Sequence, residues 1–172
     1  MMLSLCFLSL QGLGCGWWGG SDGEGLASAD PETRLDALLS LTADEVRARS
    51  AAVSALASAD ADTRVRQLAI GRLGTASVQS ATPFLGEQLR DFSSVGLQLA
   101  AATALGNMAS AAACDELLSI YFSWPTSPRD LVAVEVRDAL IRTHVHCEPV
   151  VHGRIKESPD RARELLSEMN RF

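Results

Sequence analysis

From Asp30 to the C-terminus, apolar residues recur at helical spacing in stretches separated by short polar breaks. Asp30-Pro31 opens the first stretch. An aspartate there caps free N–H groups, and proline at the first helical position has no N–H to leave unpaired. Leu35, Leu38, Leu39 and Leu41 supply its apolar side. Residues 42–57 form the next helix, with Asp44 and Glu45 complementing its N-terminus and Val46, Ala52, Val53 and Leu56 along one face. Asp60 begins a stretch containing Val65, Leu68, Ala69 and Leu73, which Gly74 ends. Residues 77–90 turn Val78, Phe84, Leu85 and Leu89 inward, and Asp91 begins the most apolar stretch, from Val95 through Leu97, Leu99 and Leu105 to Met108. Residues 109–122 carry Leu117, Leu118, Ile120 and Tyr121. Trp124-Pro125-Thr126-Ser127-Pro128 is irregular, because two prolines forbid a helix there. Residues 130–143 are helical again, with Leu131, Val134, Val136, Leu140 and Ile141. Glu148-Pro149 restarts a short helix ending near Lys156, and Ser158-Pro159-Asp160 opens the last one, with Ala162, Leu165, Leu166 and Met169.

This pattern predicts an all-α chain of roughly nine helices and no strand. An aspartate returns through it at Asp30, Asp60, Asp91, Asp130 and Asp160. Two members sit in matching text: Ser28-Ala29-Asp30-x-x-Thr33-Arg34-Leu35 and Ser58-Ala59-Asp60-x-x-Thr63-Arg64-Val65. A period of about thirty residues is the mark of a stacked repeat. The unit is a helix pair, with the aspartate starting the second helix. One pair cannot bury its apolar face alone, whereas a stack of four can. The expected architecture is an α-solenoid of about four helix pairs over residues 28–172. The charge-rich last helix suits an exposed terminal cap.

These residues resemble the HEAT-repeat family of armadillo-type superhelices, in the short bacterial form also found in phycobilin lyases. That pattern places a proline in the first helix, an aspartate in the turn and a Val-Arg pair early in the second helix. Pro83 and Asp91 stand at this spacing, and so does Asp60 with Val65-Arg66. Leu73-Gly74, Leu105-Gly106 and Val136-Arg137-Asp138-Ala139-Leu140 are further fragments of it. The pattern's arginine is replaced by Asp36, Leu97 and Leu166 in the first, third and last repeats. The resemblance spans about residues 28–171. It implies a structural Asp–Arg ladder between repeats, carried here by Asp60, Arg66 and Asp91. It also implies a concave side lined by the second helices as the default surface for a protein partner. Polar candidates on those helices are Arg66, Arg72, Gln98, Asn107 and Arg142. Fold does not fix function. The expectation is a non-catalytic protein-binding scaffold without a cofactor. An enzyme, or a chromophore- or metal-handling protein like the lyases, is the alternative.

The N-terminus reads differently. Residues 1–13 are apolar and uncharged, too short to span a bilayer and of the length of a secretory apolar segment. Gly14-Cys15 follows, resembling the acylation site of a bacterial lipoprotein signal, although Gly12 stands where such signals usually have leucine. The expectation is a signal segment over 1–14, a lipid on Cys15, a flexible Gly-rich tether over 15–27, and an exported protein held at the cell envelope. A mistaken start codon before a greasy tail is the bland alternative.

Composition supports the helical reading and narrows the partners. Hydrophobic residues make up 47% of the 172, yet aromatics only 5%, which suits Ala/Leu helices better than a sheet. A net charge of −6 argues against nucleic acid, whose binding depends on a basic surface. His144, His146, Cys147 and His152 form the one cluster with ligand-type side chains, but its spacing fits no structural zinc pattern, and Pro149 interrupts the helix that would align it. Metal is therefore not expected. Cys114 and Cys147 each fall near the start of a first helix in consecutive repeats. The preferred reading is two buried thiols acting as small apolar residues, with a disulfide as the alternative. No phosphate-cradling glycine loop or nucleophile elbow occurs in the repeats.

Overall fold

The computed structural model describes residues 24–124 and 130–171. Cys15, the signal segment and most of the expected tether lie outside the described residues. Among those described there are ten α-helices and no strand: α1 (Pro31–Ser40), α2 (Ala43–Ala48), α3 (Ser50–Ala59), α4 (Thr63–Thr75), α5 (Thr82–Arg90), α6 (Val95–Met108), α7 (Ala111–Ser123), α8 (Leu131–Arg142), α9 (His144–Arg154) and α10 (Pro159–Met169). The helices stack as pairs. α4 packs on α1, α3 and α6; α6 on α5 and α8; α8 on α7 and α10; and α7 on α5 and α9. One row is thus α1, α4, α6, α8 and α10, the second helices, and α5, α7 and α9 run behind it. The fold is an all-α solenoid.

Local chemistry sets the helix starts. The carboxylates of Asp30, Asp62 and Asp130 accept backbone N–H bonds at the starts of α1, α4 and α8, and the hydroxyls of Ser94 and Ser110 do so for α6 and α7. Thr42 and Glu45 form a reciprocal capping box on α2. The aspartate series therefore divides. Asp30 and Asp130 are caps, and Asp160 lies in the first turn of α10. Asp60 and Asp91 instead close the preceding helices, α3 and α5, while the next residues do the capping.

Further sequence expectations change. Residues 42–57 do not make one helix: α2 and α3 part at Arg49 (φ −107°, ψ 22°), which raises the helix count from nine to ten. Glu24–Ala27, expected in the tether, form a 3-10 turn that buries Leu26 against the start of the stack. Pro149 does not interrupt a helix but lies within α9, its own position exposed and buried Cys147 and Val151 on either side. Cys114 and Cys147 are joined as a disulfide between α7 and α9, with Cα atoms 5.3 Å apart and both side chains buried. They are not two free thiols.

A single apolar core runs through the stack, including Leu38, Val53, Ile70, Leu73, Leu85, Leu105, Leu117, Leu140 and Leu165. Small residues set the spacing of the second helices. A Cβ on Gly74 would fall 2.6 Å from Cβ of Ala104, and one on Gly106 would fall 2.9 Å from Cβ of Ala139. The Leu-Gly pairs read from the sequence are thus contact points between repeats rather than helix stops.

Candidate protein-binding face

The second helices begin side by side, and their first turns carry exposed apolar side chains. Asp91 accepts bonds from the backbone N–H and the hydroxyl of Ser93, fixing a tight turn ahead of α6. That turn projects Phe92 outward, 70% exposed. Val95 and Leu131 occupy the first helical positions of α6 and α8 and are 53% and 66% exposed. Trp124 caps the C-terminus of α7 and sets its ring 5.4 Å from the Phe92 ring. Together with Gln98, Asp130 and Val132 these residues line a recess of about 520 Å³. Isolated apolar residues on a surface are ordinary, but four clustered around one recess with two aromatics are the composition of an interface centre.

Farther along the same helices the surface turns polar. Thr103 on α6 donates to Glu135 on α8 at 3.0 Å, and Arg142 donates to the same Glu135 oxygen at 2.9 Å. A second recess, of about 410 Å³, lies between α8 and α10 and is lined by Arg137, Asp138, Ile141, Arg142, Glu168 and Arg171. Arg137 grips Glu168 with two parallel bonds, which raise the arginine's pKa. This arrangement offers shape and paired charge. No nucleophile stands beside a base in it.

Of the residues expected in the ladder, Asp60 makes an aspartate–arginine pair across repeats. Asp60 receives a two-pronged bond, at 2.7 and 2.8 Å, from Arg34 of the preceding repeat and not from Arg66. That guanidinium is the first cause of the lowered Asp60 pKa. The Arg66 charge adds to the lowering of the Asp91 pKa, whose leading cause is the Ser93 N–H. Arg66 makes its side-chain bond to Thr63. At the start of α4, Asp62 is held down at about 2, first by the Arg64 guanidinium and then by the Arg64 N–H. The carboxylates of the repeat turns thus hold the chain together.

The other sequence candidates do not converge. Gln98 is 2% exposed, its amide donating to the Leu89 carbonyl at 3.0 Å, so it forms the floor of the apolar recess rather than part of a polar face. Arg66 and Arg72 are half-buried, while Asn107 and Arg142 are exposed. His144, Glu148 and His152 share a continuous helix, with His152 3.7 Å from Glu148. Among the described residues, however, no three His, Cys, Asp or Glu side chains come together as a metal site, and the Cys147 sulfur is committed to Cys114. Phe92, Val95, Trp124 and Leu131 were not anticipated as a site. The available signal was an aromatic inside a capping turn, and large apolar residues placed directly after a cap, where a helix has not yet entered the core.

No curated protein and no solved structure matches this chain. Residues 50–140 match the family of HEAT repeats. That span covers more than half of the chain and runs from α3 to α8, so it contains both the Gly74–Ala104 contact and the residues of the apolar recess. With the helix pairs, the turn aspartates and the small-residue seams in agreement, the chain belongs to the HEAT-repeat family.

Proposed function

We propose that this chain is a non-catalytic scaffold that binds a protein partner on the row of second helices, at the cell envelope. The observation that carries the reading is the apolar recess at the start of α6 and α8, with Phe92, Val95 and Leu131 largely exposed around it. A few buried anchors, aromatic ones foremost, supply most of the energy of protein interfaces. The exposed Asp91 carboxylate beside Phe92 favours a partner segment that carries a cation next to its apolar anchor.

Two features support export. Residues 1–13 with Gly14-Cys15 have the composition of a lipoprotein leader. The Cys114–Cys147 bond suits an oxidising compartment, since disulfides are rare in reducing cytosol. Among the described residues no helix is long and apolar enough to cross a membrane.

The test compares Leu131→Glu with Glu87→Arg, which alters an exposed position on α5 away from the recess. A partner recovered with the unaltered chain should be lost about tenfold or more with Leu131→Glu and retained with Glu87→Arg. Equal retention by both variants would remove the recess from the interface. The mass of the mature protein tests the location: loss of residues 1–14 with a lipid on Cys15 is expected, and an unmodified Cys15 still following residue 14 contradicts it.

A further inference from the structure

Like α3 and α5, both helices of the last pair start without a side-chain cap bond. α9 has no side-chain N-cap bond, contains Pro149, and buries only Cys147 and Val151. An internal proline removes one helical hydrogen bond and crowds the preceding turn. α10 packs on α8 and α9, and its Arg161 donates to the Phe122 and Trp124 carbonyls at the end of α7. One of the two buried anchors of α9 is the residue cross-linked to Cys114, near the start of α7. The neighbouring Thr143 hydroxyl sits 3.1 Å from the Cys147 sulfur, closing that end of the helix around the bond.

We propose that the Cys114–Cys147 disulfide is a redox-controlled latch that docks the terminal α9–α10 pair onto the stack. In the reduced chain this pair opens while the repeats from α3 to α8 stay folded. The chemistry is thiol–disulfide exchange. One cysteine thiolate attacks the disulfide of an oxidant, either a small-molecule disulfide or an oxidised protein dithiol, and releases one thiol. The second cysteine thiolate then attacks the mixed disulfide, forms the Cys114–Cys147 bond and releases the other thiol. Two thiols of the chain lose two electrons and two protons, and the oxidant becomes two thiols. Both sulfurs are buried once the pair is docked, so exchange takes place while α9 is open. Docking completes the recess between α8 and α10, because α10 supplies Glu168 to Arg137 and leads to Arg171. That second surface thereby exists only in the oxidised chain. The latch does not depend on the identity of any partner at the first recess.

Amide hydrogen exchange on the full chain, with and without dithiothreitol, tests this, together with the double variant Cys114→Ala/Cys147→Ala. The expected result is exchange at least about tenfold faster throughout α9 and α10 after reduction and in the double variant, with α4 and α6 unchanged. Unchanged exchange in α9 overturns the latch. Loss of protection through the whole chain also overturns it, since the bond would then hold the entire fold. Two free thiols at positions 114 and 147 in denatured protein taken from an oxidising compartment overturn it as well. If the double variant does not fold, the reduced unaltered chain decides.

Discussion

Two glycines on one helix should respond in opposite directions to the same substitution. Gly71 and Gly74 both lie in α4, so helix propensity alone favours alanine at each by about 1 kcal/mol. A Cβ on Gly71 meets nothing within 4 Å. A Cβ on Gly74 would lie 2.6 Å from Cβ and 2.8 Å from the carbonyl oxygen of Ala104 on α6. Those neighbours are backbone and a side-chain stub, so no flexible group can swing away. The helices themselves must separate, pulling apart the seam between α4 and α6. Overpacking of this kind costs about 1–3 kcal/mol, and relief that moves whole helices belongs at the upper end. Gly71→Ala should therefore stabilise by up to about 1 kcal/mol, and Gly74→Ala should destabilise by about 1–2 kcal/mol after the propensity gain is subtracted. At about 2–4 °C per kcal/mol for a domain of this size, their melting temperatures should differ by several degrees. Urea and thermal unfolding of both variants measure the difference. A Gly74→Ala protein as stable as Gly71→Ala would refute close packing of the second helices at this point.

Other perturbations reach the remaining contacts. Removal of the disulfide, which spans 33 residues, should take about 4 kcal/mol of loop-entropy stabilisation from the α9–α10 pair, so that calorimetry of Cys114→Ala/Cys147→Ala should show the main transition retained and that pair unfolded ahead of it. Asp60→Asn should destabilise at neutral pH by breaking the Arg34 grip. Because folding depresses the Asp60 pKa below 3.8, its stabilisation is present above that value and lost as pH falls through the lower folded value, so the gap between variant and unaltered chain should narrow below about pH 4 in urea melts. Leu131→Glu should leave the melting temperature unchanged or slightly higher, since an exposed acid in the first turn of α8 complements the helix dipole, even as partner binding falls.

The helix pairs were legible because their boundaries are written in residues with strong local preferences. Asp30-Pro31 and Ser158-Pro159 open helices whatever surrounds them, and the aspartate period marked the junction within every pair, although Asp60 and Asp91 close the first helix rather than start the second. The break at Arg49 was not legible, because Ala48-Arg49-Ser50 contains nothing that disfavours a helix. Pro149 misled for the opposite reason: the anchoring of Cys147 and Val151 outweighs the bond it forfeits. Gly74 and Gly106 look like helix stops in one dimension, and only the neighbouring repeat shows that they make room for Ala104 and Ala139. The spacing of Cys114 and Cys147 placed them on adjacent first helices, but whether their Cβ atoms faced one another depended on helix rotation. The recess was hidden because Val95 and Leu131 fit the apolar periodicity of α6 and α8. Their exposure follows from lying at the first helical position, ahead of the core. Which aspartate each arginine meets depends on the packing of neighbouring repeats, as the Arg34–Asp60 pair shows.

A photo-crosslinking side chain placed at Leu131 in the intact chain, and separately at Glu87 on α5, tests most directly whether the start of α6 and α8 is the working surface. The account predicts a saturable cross-link to one protein species from position 131, abolished by Phe92→Asp in the same chain, and none from position 87. Cross-linking from position 87 alone, or a position 131 cross-link unaffected by Phe92→Asp, would contradict it.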